Sequence, residues 1–115
     1  MKKRKRHASQ SESLKLKWKR RIIFEKGYTV SCAEWMAERL EALLDHMLYG
    51  HATVAYRKQD GSFRMVKATL IHYETEFRKK YDPMAVEGAV VYWNVDEQRW
   101  TTFQVENFME WRPTV

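Results

Sequence analysis

Five cations in a row, an adjacent pair of carboxylates, four histidines and one cysteine are the residues of this 115-residue sequence whose types could serve a chemical site. General acid–base work by a carboxylate pair needs the two in different environments. Asp96 and Glu97 instead fall in the polar stretch Asp96-Glu97-Gln98-Arg99 between two β-prone runs, the place of solvated turn residues. Metal binding fares no better. His46 and His51 are five apart and straddle Gly50, a spacing that does not put two ligands on one helical face, and His7 and His72 stand alone. Cys32 is the only cysteine, which rules out an internal disulfide and a cysteine zinc site and fits a reducing compartment. With four glycines there is no phosphate-cradling loop, and no serine nucleophile elbow is present. The expectation is a non-enzyme with no cofactor and no metal.

The cations point to different chemistry. Lys2, Lys3, Arg4, Lys5 and Arg6 are followed by Lys15, Lys17, Lys19, Arg20 and Arg21, with Trp18 among them. Such a segment neutralises nucleic-acid phosphates, and a tryptophan within it can stack on a base. Residues 1–27 hold eleven Lys and Arg against Glu12 and Glu25, a charge of +9, whereas from Tyr28 onward ten Lys and Arg face thirteen Asp and Glu, a charge of −3. A basic arm on a mildly acidic body attracts polyanions through the arm, and Arg64, Lys67, Arg78, Lys79 and Lys80 would extend the contact along the body. The plainer reading is a solubilising tail. A second functional reading is a protein-interaction module whose aromatic groove, built from Tyr56, Tyr92, Trp93 and Trp100, accepts a peptide or an assembly subunit. No run approaches the roughly 18 apolar residues that span a bilayer, and Met1–Arg6 leads into small polar residues rather than an apolar signal core, so a cytoplasmic protein without a membrane partner is expected.

These side chains need elements to hold them. Residues 1–13, a charge run followed by Ala-Ser-Gln-Ser-Glu-Ser, cannot offset the entropy of ordering and are expected to be disordered. The alternation of Leu14, Leu16 and Trp18 with lysines favours a strand over 14–24, with a basic amphipathic helix as the alternative. Ser31 and Glu34 form a capping box that should start a helix, and Met36, Leu40, Leu43, Leu44, Met47 and Leu48 recur on one face of it until Gly50. Thr53–Lys58 and Phe63–Leu70 flank Gln59-Asp60-Gly61-Ser62, a strong hairpin signal. Ala89–Val95 and Trp100–Val105 form a second hairpin, and Met109–Arg112 a last strand. Residues 71–88 are long for a loop.

From Leu40 to Trp111 the chain resembles a family of uncharacterised Bacteroidetes and phage proteins with an Sm-like SH3 β-barrel fold, related in name to WYL domains. The resemblance is carried by Lys58-Gln59-Asp60-Gly61-Ser62-Phe63-Arg64, by Lys67-Ala68-Thr69-Leu70, by Val91-Tyr92-Trp93-Asn94-Val95 and by Arg99-Trp100-Thr101-Thr102-Phe103-Gln104-Val105-Glu106-Asn107-Phe108. It implies a fold and no established activity, because SH3-like barrels host unrelated functions. The expected architecture is α+β: a basic flexible arm over 1–27, then one domain over 28–115 in which an N-terminal amphipathic helix packs on a small SH3/Sm-like antiparallel barrel.

Overall fold

The structure, a computed structural model, describes residues 8–114. Two long helices come first, α1 (Ala8–Lys26) and α2 (Val30–Met47). They are followed by β1 (His51–Arg57), β2 (Phe63–Thr69), a short α3 (Tyr73–Phe77), a 3-10 turn at Pro83–Ala85, β3 (Ala89–Asn94), β4 (Arg99–Gln104), a 3-10 turn at Val105–Asn107 and β5 (Phe108–Pro113). The expected α+β class and both hairpins hold.

The largest departure from expectation is α1. Residues 8–13, expected to be disordered, and 14–24, expected to be a strand, form one helix; residues 1–7 of the expected disordered stretch lie outside the described residues. The alternation that favoured a strand is only five residues long. Leu14, Trp18 and Ile22 recur every four residues instead, which stacks them on one helical face, and all three are fully buried. The Lys, Arg, Leu and Glu between them are good helix formers. Gly27 ends the helix with φ +67°, its N–H donating to the Ile23 carbonyl at 2.8 Å, a left-handed cap that suits glycine. The basic segment is thus in large part a structural helix.

The cap of helix α2 lies two residues before the expected one. Thr29, in extended conformation, accepts from the Cys32 N–H at 3.2 Å, so Ser31 is inside the helix rather than at its start. The core face is as read, with Met36, Leu40, Leu43, Leu44 and Met47 buried. Gly50 does not terminate it by positive φ. The helix ends at Leu48, and His46 Nε2 then bonds to the His51 carbonyl at 2.8 Å.

The strands form one antiparallel sheet in the order β4-β3-β2-β1-β5. β1 and β2 pair over seven rungs, from His51↔Thr69 to Arg57↔Phe63, and β3 and β4 over six. Asp60 shapes the first turn by accepting from Ser62 N–H at 2.9 Å and Ser62 Oγ at 2.6 Å, and Gly61 takes φ +87°. The two hairpins are joined by only two rungs, Ala68↔Asn94 and Thr69↔Trp93. The expected small antiparallel barrel is instead an open sheet: β4 and β5 are its two edges, separated by the Val105–Asn107 turn rather than zipped together.

Helix α1 is fixed to this sheet by side chains. Trp18 Nε1 donates to the Val86 carbonyl at 3.4 Å, and Arg21 clamps Glu106 through Nε to Oε1 at 2.7 Å and Nη2 to Oε2 at 3.3 Å while also reaching Gln104 at 3.1 Å. A Cβ at Gly88 would lie 2.3 Å from the Arg21 Cζ, so a larger residue there would push the guanidinium off its present path. α2 is tied to β5 in the same manner. Arg39 lies 4.7 Å from the Trp111 ring centroid and bonds to Glu110, and Trp111 Nε1 donates to the Arg39 carbonyl at 2.9 Å.

Inside the sheet, Tyr56 and Tyr92 share a buried hydroxyl–hydroxyl hydrogen bond of 2.6 Å, and Tyr56 stacks on Phe103. Burial, and then the bond to Tyr56, pushes the Tyr92 hydroxyl well above the ordinary tyrosine range.

Three outcomes follow from this packing. Trp18→Ala should lower unfolding free energy in urea melts by about 3–5 kcal/mol. Removing residues 1–21 should abolish cooperative unfolding by circular dichroism, whereas removing residues 1–7 should preserve it. A raised Tyr92 pKa contributes stability that is whole below the unfolded tyrosine value of about 10 and is lost as the pH climbs toward the folded value. Tyr92→Phe should therefore flatten the alkaline fall in stability while costing about 1 kcal/mol at pH 7, since the Tyr56 hydroxyl loses its partner.

Candidate nucleic-acid interface

The cations named from sequence do not form one stripe. On α1, Lys15 pairs with Glu12 at 3.5 Å, Lys17 bonds to the Met84 carbonyl at 3.0 Å and lies 3.9 Å from Glu87, Lys19 pairs with Glu34 at 3.3 Å, and Arg21 holds Glu106. Of this group, Arg20 is the one that is exposed with no such clamp. Trp18 is fully buried and bonded to Val86, so it has no face to offer a base. Sequence reading missed this because a helix that uses basic residues to grip an acidic body looks, in one dimension, like a free basic arm. Lys2, Lys3, Arg4, Lys5 and Arg6 lie outside the described residues.

On the body, strand alternation separates Arg64 from Lys67. Arg64 shares the inward face of β2 with Val66 and Ala68, and Lys67 shares the outward face with Phe63 and Met65. Arg78, at φ +57°, Lys79 and Lys80 occupy an exposed turn after α3.

Where the sheet fails to close, a polar groove of about 390 Å³ opens between the β1–β2 turn and β4. Tyr56, Arg57, Lys58, Asp60 and Arg64 form one wall, and Thr101, Thr102, Gln104 and Asn107 most of the other. Three of these carry positive charge. The carboxylate among them, Asp60, is engaged with Ser62, whose hydrogen bonds hold it below the usual carboxylate range. Arg64 donates to Glu97 Oε2 at 2.6 Å, and Arg99 Nε donates to Oε1 of the same carboxylate at 2.8 Å. Glu97 is consequently held below the usual range, by the Arg99 hydrogen bond first and by Arg64 after it. Arg57, Lys58, Arg99 and Glu97 were not singled out from sequence as a set. The closeness of Arg64 to Glu97, 33 positions on, follows from the second hairpin's turn folding across β2, where the Val95 N–H bonds to the Lys67 carbonyl at 2.9 Å.

A second groove, of about 460 Å³, runs between α1 and α2. Glu12, Glu34 and Glu38 outnumber Lys15 and Lys19 there, which disfavours a polyanion.

The aromatic groove of the alternative reading is not formed. Tyr56 and Tyr92 are core residues, and Trp93 pairs with Trp100 across β3 and β4 at 5.3 Å. Tyr73 and Phe77 of α3 and Tyr81 pack into the same aromatic cluster, with Phe77 5.0 Å from Trp100, so the 71–88 connection is a cover for these rings rather than a loose loop. Among the described residues no group of three or more metal-ligating side chains converges, and no helix is long and apolar enough to cross a membrane.

Comparison with curated proteins and with solved structures finds no match. A family model described as WYL_2, Sm-like SH3 beta-barrel fold, matches residues 40–109, which takes in the end of α2, all of β1 to β4 and the start of β5. The order of hairpin, bridging turn, hairpin, 3-10 turn and final strand agrees with that description, and the chain belongs to the WYL_2 family of Sm-like SH3 β-barrel proteins.

Proposed function

We propose that this chain is a small non-enzymatic binding module that associates with nucleic acid, with Lys2–Arg6 as its main electrostatic contact and the cationic groove beside β4 as a secondary one. The supporting observation is where the charge resides. From residue 8 onward sixteen Lys and Arg face fifteen Asp and Glu, so nearly all of the net +6 belongs to the five cations at 2–6. A nearly neutral fold bearing a concentrated cationic segment is attracted to polyanions through that segment. The helix cations, already engaged with Glu34, Glu87 and Glu106, serve to dock α1. The resemblance to Bacteroidetes and phage proteins supports a cytoplasmic accessory or regulatory role in such a host. The protein-interaction reading loses its named residues, since Tyr56 and Tyr92 are buried and Trp93 and Trp100 belong to the cluster under α3.

Mobility-shift titrations of full-length protein and of a form lacking residues 1–7, against single- and double-stranded DNA and RNA at two salt concentrations, test this. We expect affinity to fall steeply with salt. If all five cations engage phosphates, the deletion should make the plot of log affinity against log salt shallower by about 3.5–4.5 units. Salt-independent binding, or no change on deletion, would remove the reading.

A further inference from the structure

We infer that Arg64 and Arg99, together with Lys58 at the mouth of the groove, form a phosphate-binding site on the sheet that Glu97 occupies as an internal competitor. As a contact for nucleic-acid phosphates, this inference rests on the function proposed above and gives the body a defined role in it.

Two guanidinium groups from different strands converge on a single anion, each donating to its own oxygen, at 2.6 Å from Arg64 and 2.8 Å from Arg99. That is the arrangement in which arginines hold a phosphate, and here a carboxylate fills it. Arg64 also lines the groove, so one arm of the clamp belongs to the same wall as Lys58 and faces Thr101 and Thr102. The carboxylate can leave without unfolding anything. Glu97 is half-exposed, and its backbone N–H is held separately by Asn94 Oδ1 at 2.9 Å, so a side-chain rotation releases the two arginines while the turn stays in place. A phosphate carries more charge and more acceptor oxygens than the carboxylate it would displace.

Glu97→Gln removes the competitor's charge and keeps its shape. Asp96→Asn, one position earlier on the same exposed turn, makes the same change in net charge away from the clamp. Both variants and the wild type, as full chains, would be titrated with inorganic phosphate, followed by the NMR shifts of Arg64 and Arg99, and with a short single-stranded oligonucleotide. We expect Glu97→Gln to bind phosphate about two- to fivefold more tightly than the wild type, the range set by losing an exposed ion pair, with Asp96→Asn unchanged and the gain abolished by adding Arg64→Gln. If the gain appears with phosphate but no form binds the oligonucleotide, the site stands and the nucleic-acid reading falls. If Glu97→Gln binds phosphate no better than Asp96→Asn, the inference is overturned, even where full-length protein still binds oligonucleotides through Lys2–Arg6.

Discussion

Helix α1 meets the rest of the fold at α2 and at the two 3-10 turns that flank β3 and β4, and the burial of Trp18 is the interaction that holds it there. Leu14, Trp18 and Ile22 are fully buried, and each apolar side chain removed from water contributes on the order of 1.5–3 kcal/mol before entropy is counted. The polar part of the docking gives it direction. Arg21 reaches Glu106 and Gln104 past Gly88, where a side chain would crowd the guanidinium. The same interface decides which cations can act elsewhere, because a lysine held by a body carboxylate adds little to the long-range field.

The open seam of the sheet has its own effect on the surface. With two rungs between β2 and β3, the first half of β2 diverges from β3, and the space is bridged by the turn of the second hairpin through Val95 and through the Arg64–Glu97–Arg99 set. Structure and surface chemistry are therefore built from the same few side chains. A groove rich in donors lies where a fully zipped barrel would present a continuous ladder.

Much of the domain was legible because its signals are local. The Asp60-Gly61 turn, the face of α2 and the strand runs are fixed by neighbours within a few positions, and the WYL_2 match covers the same residues. What was hidden depends on distance. Nothing near Trp18 says that Val86 will sit 68 positions away to accept its N–H, so a short alternation of Leu and Lys outweighed the four-residue spacing of Leu14, Trp18 and Ile22. Thr29 displaced Ser31 as the cap because its extended backbone placed the hydroxyl on the Cys32 amide, a detail of φ and ψ that residue type does not carry. Of the candidate interface, Arg64 was visible from its position after the hairpin turn. Glu97 looked like a solvated turn residue because Arg99, two positions on, is an ordinary local neighbour and Arg64 joins it only when the second hairpin's turn folds across β2.

The wide span of chain between α1 and its anchors also governs how the molecule is made. Each hairpin closes over a few residues and can form within microseconds, whereas Trp18 must wait for Val86, and Arg21 for Gln104 and Glu106, before its helix has a home. In chain order Val86, Gln104 and Glu106 follow their α1 partners by 68, 83 and 85 positions, so during synthesis the helix is made before the acceptors that fix it. The lysines and arginines beside Leu14, Trp18 and Ile22 are charged neighbours of the kind that oppose aggregation of an apolar stripe before it is covered.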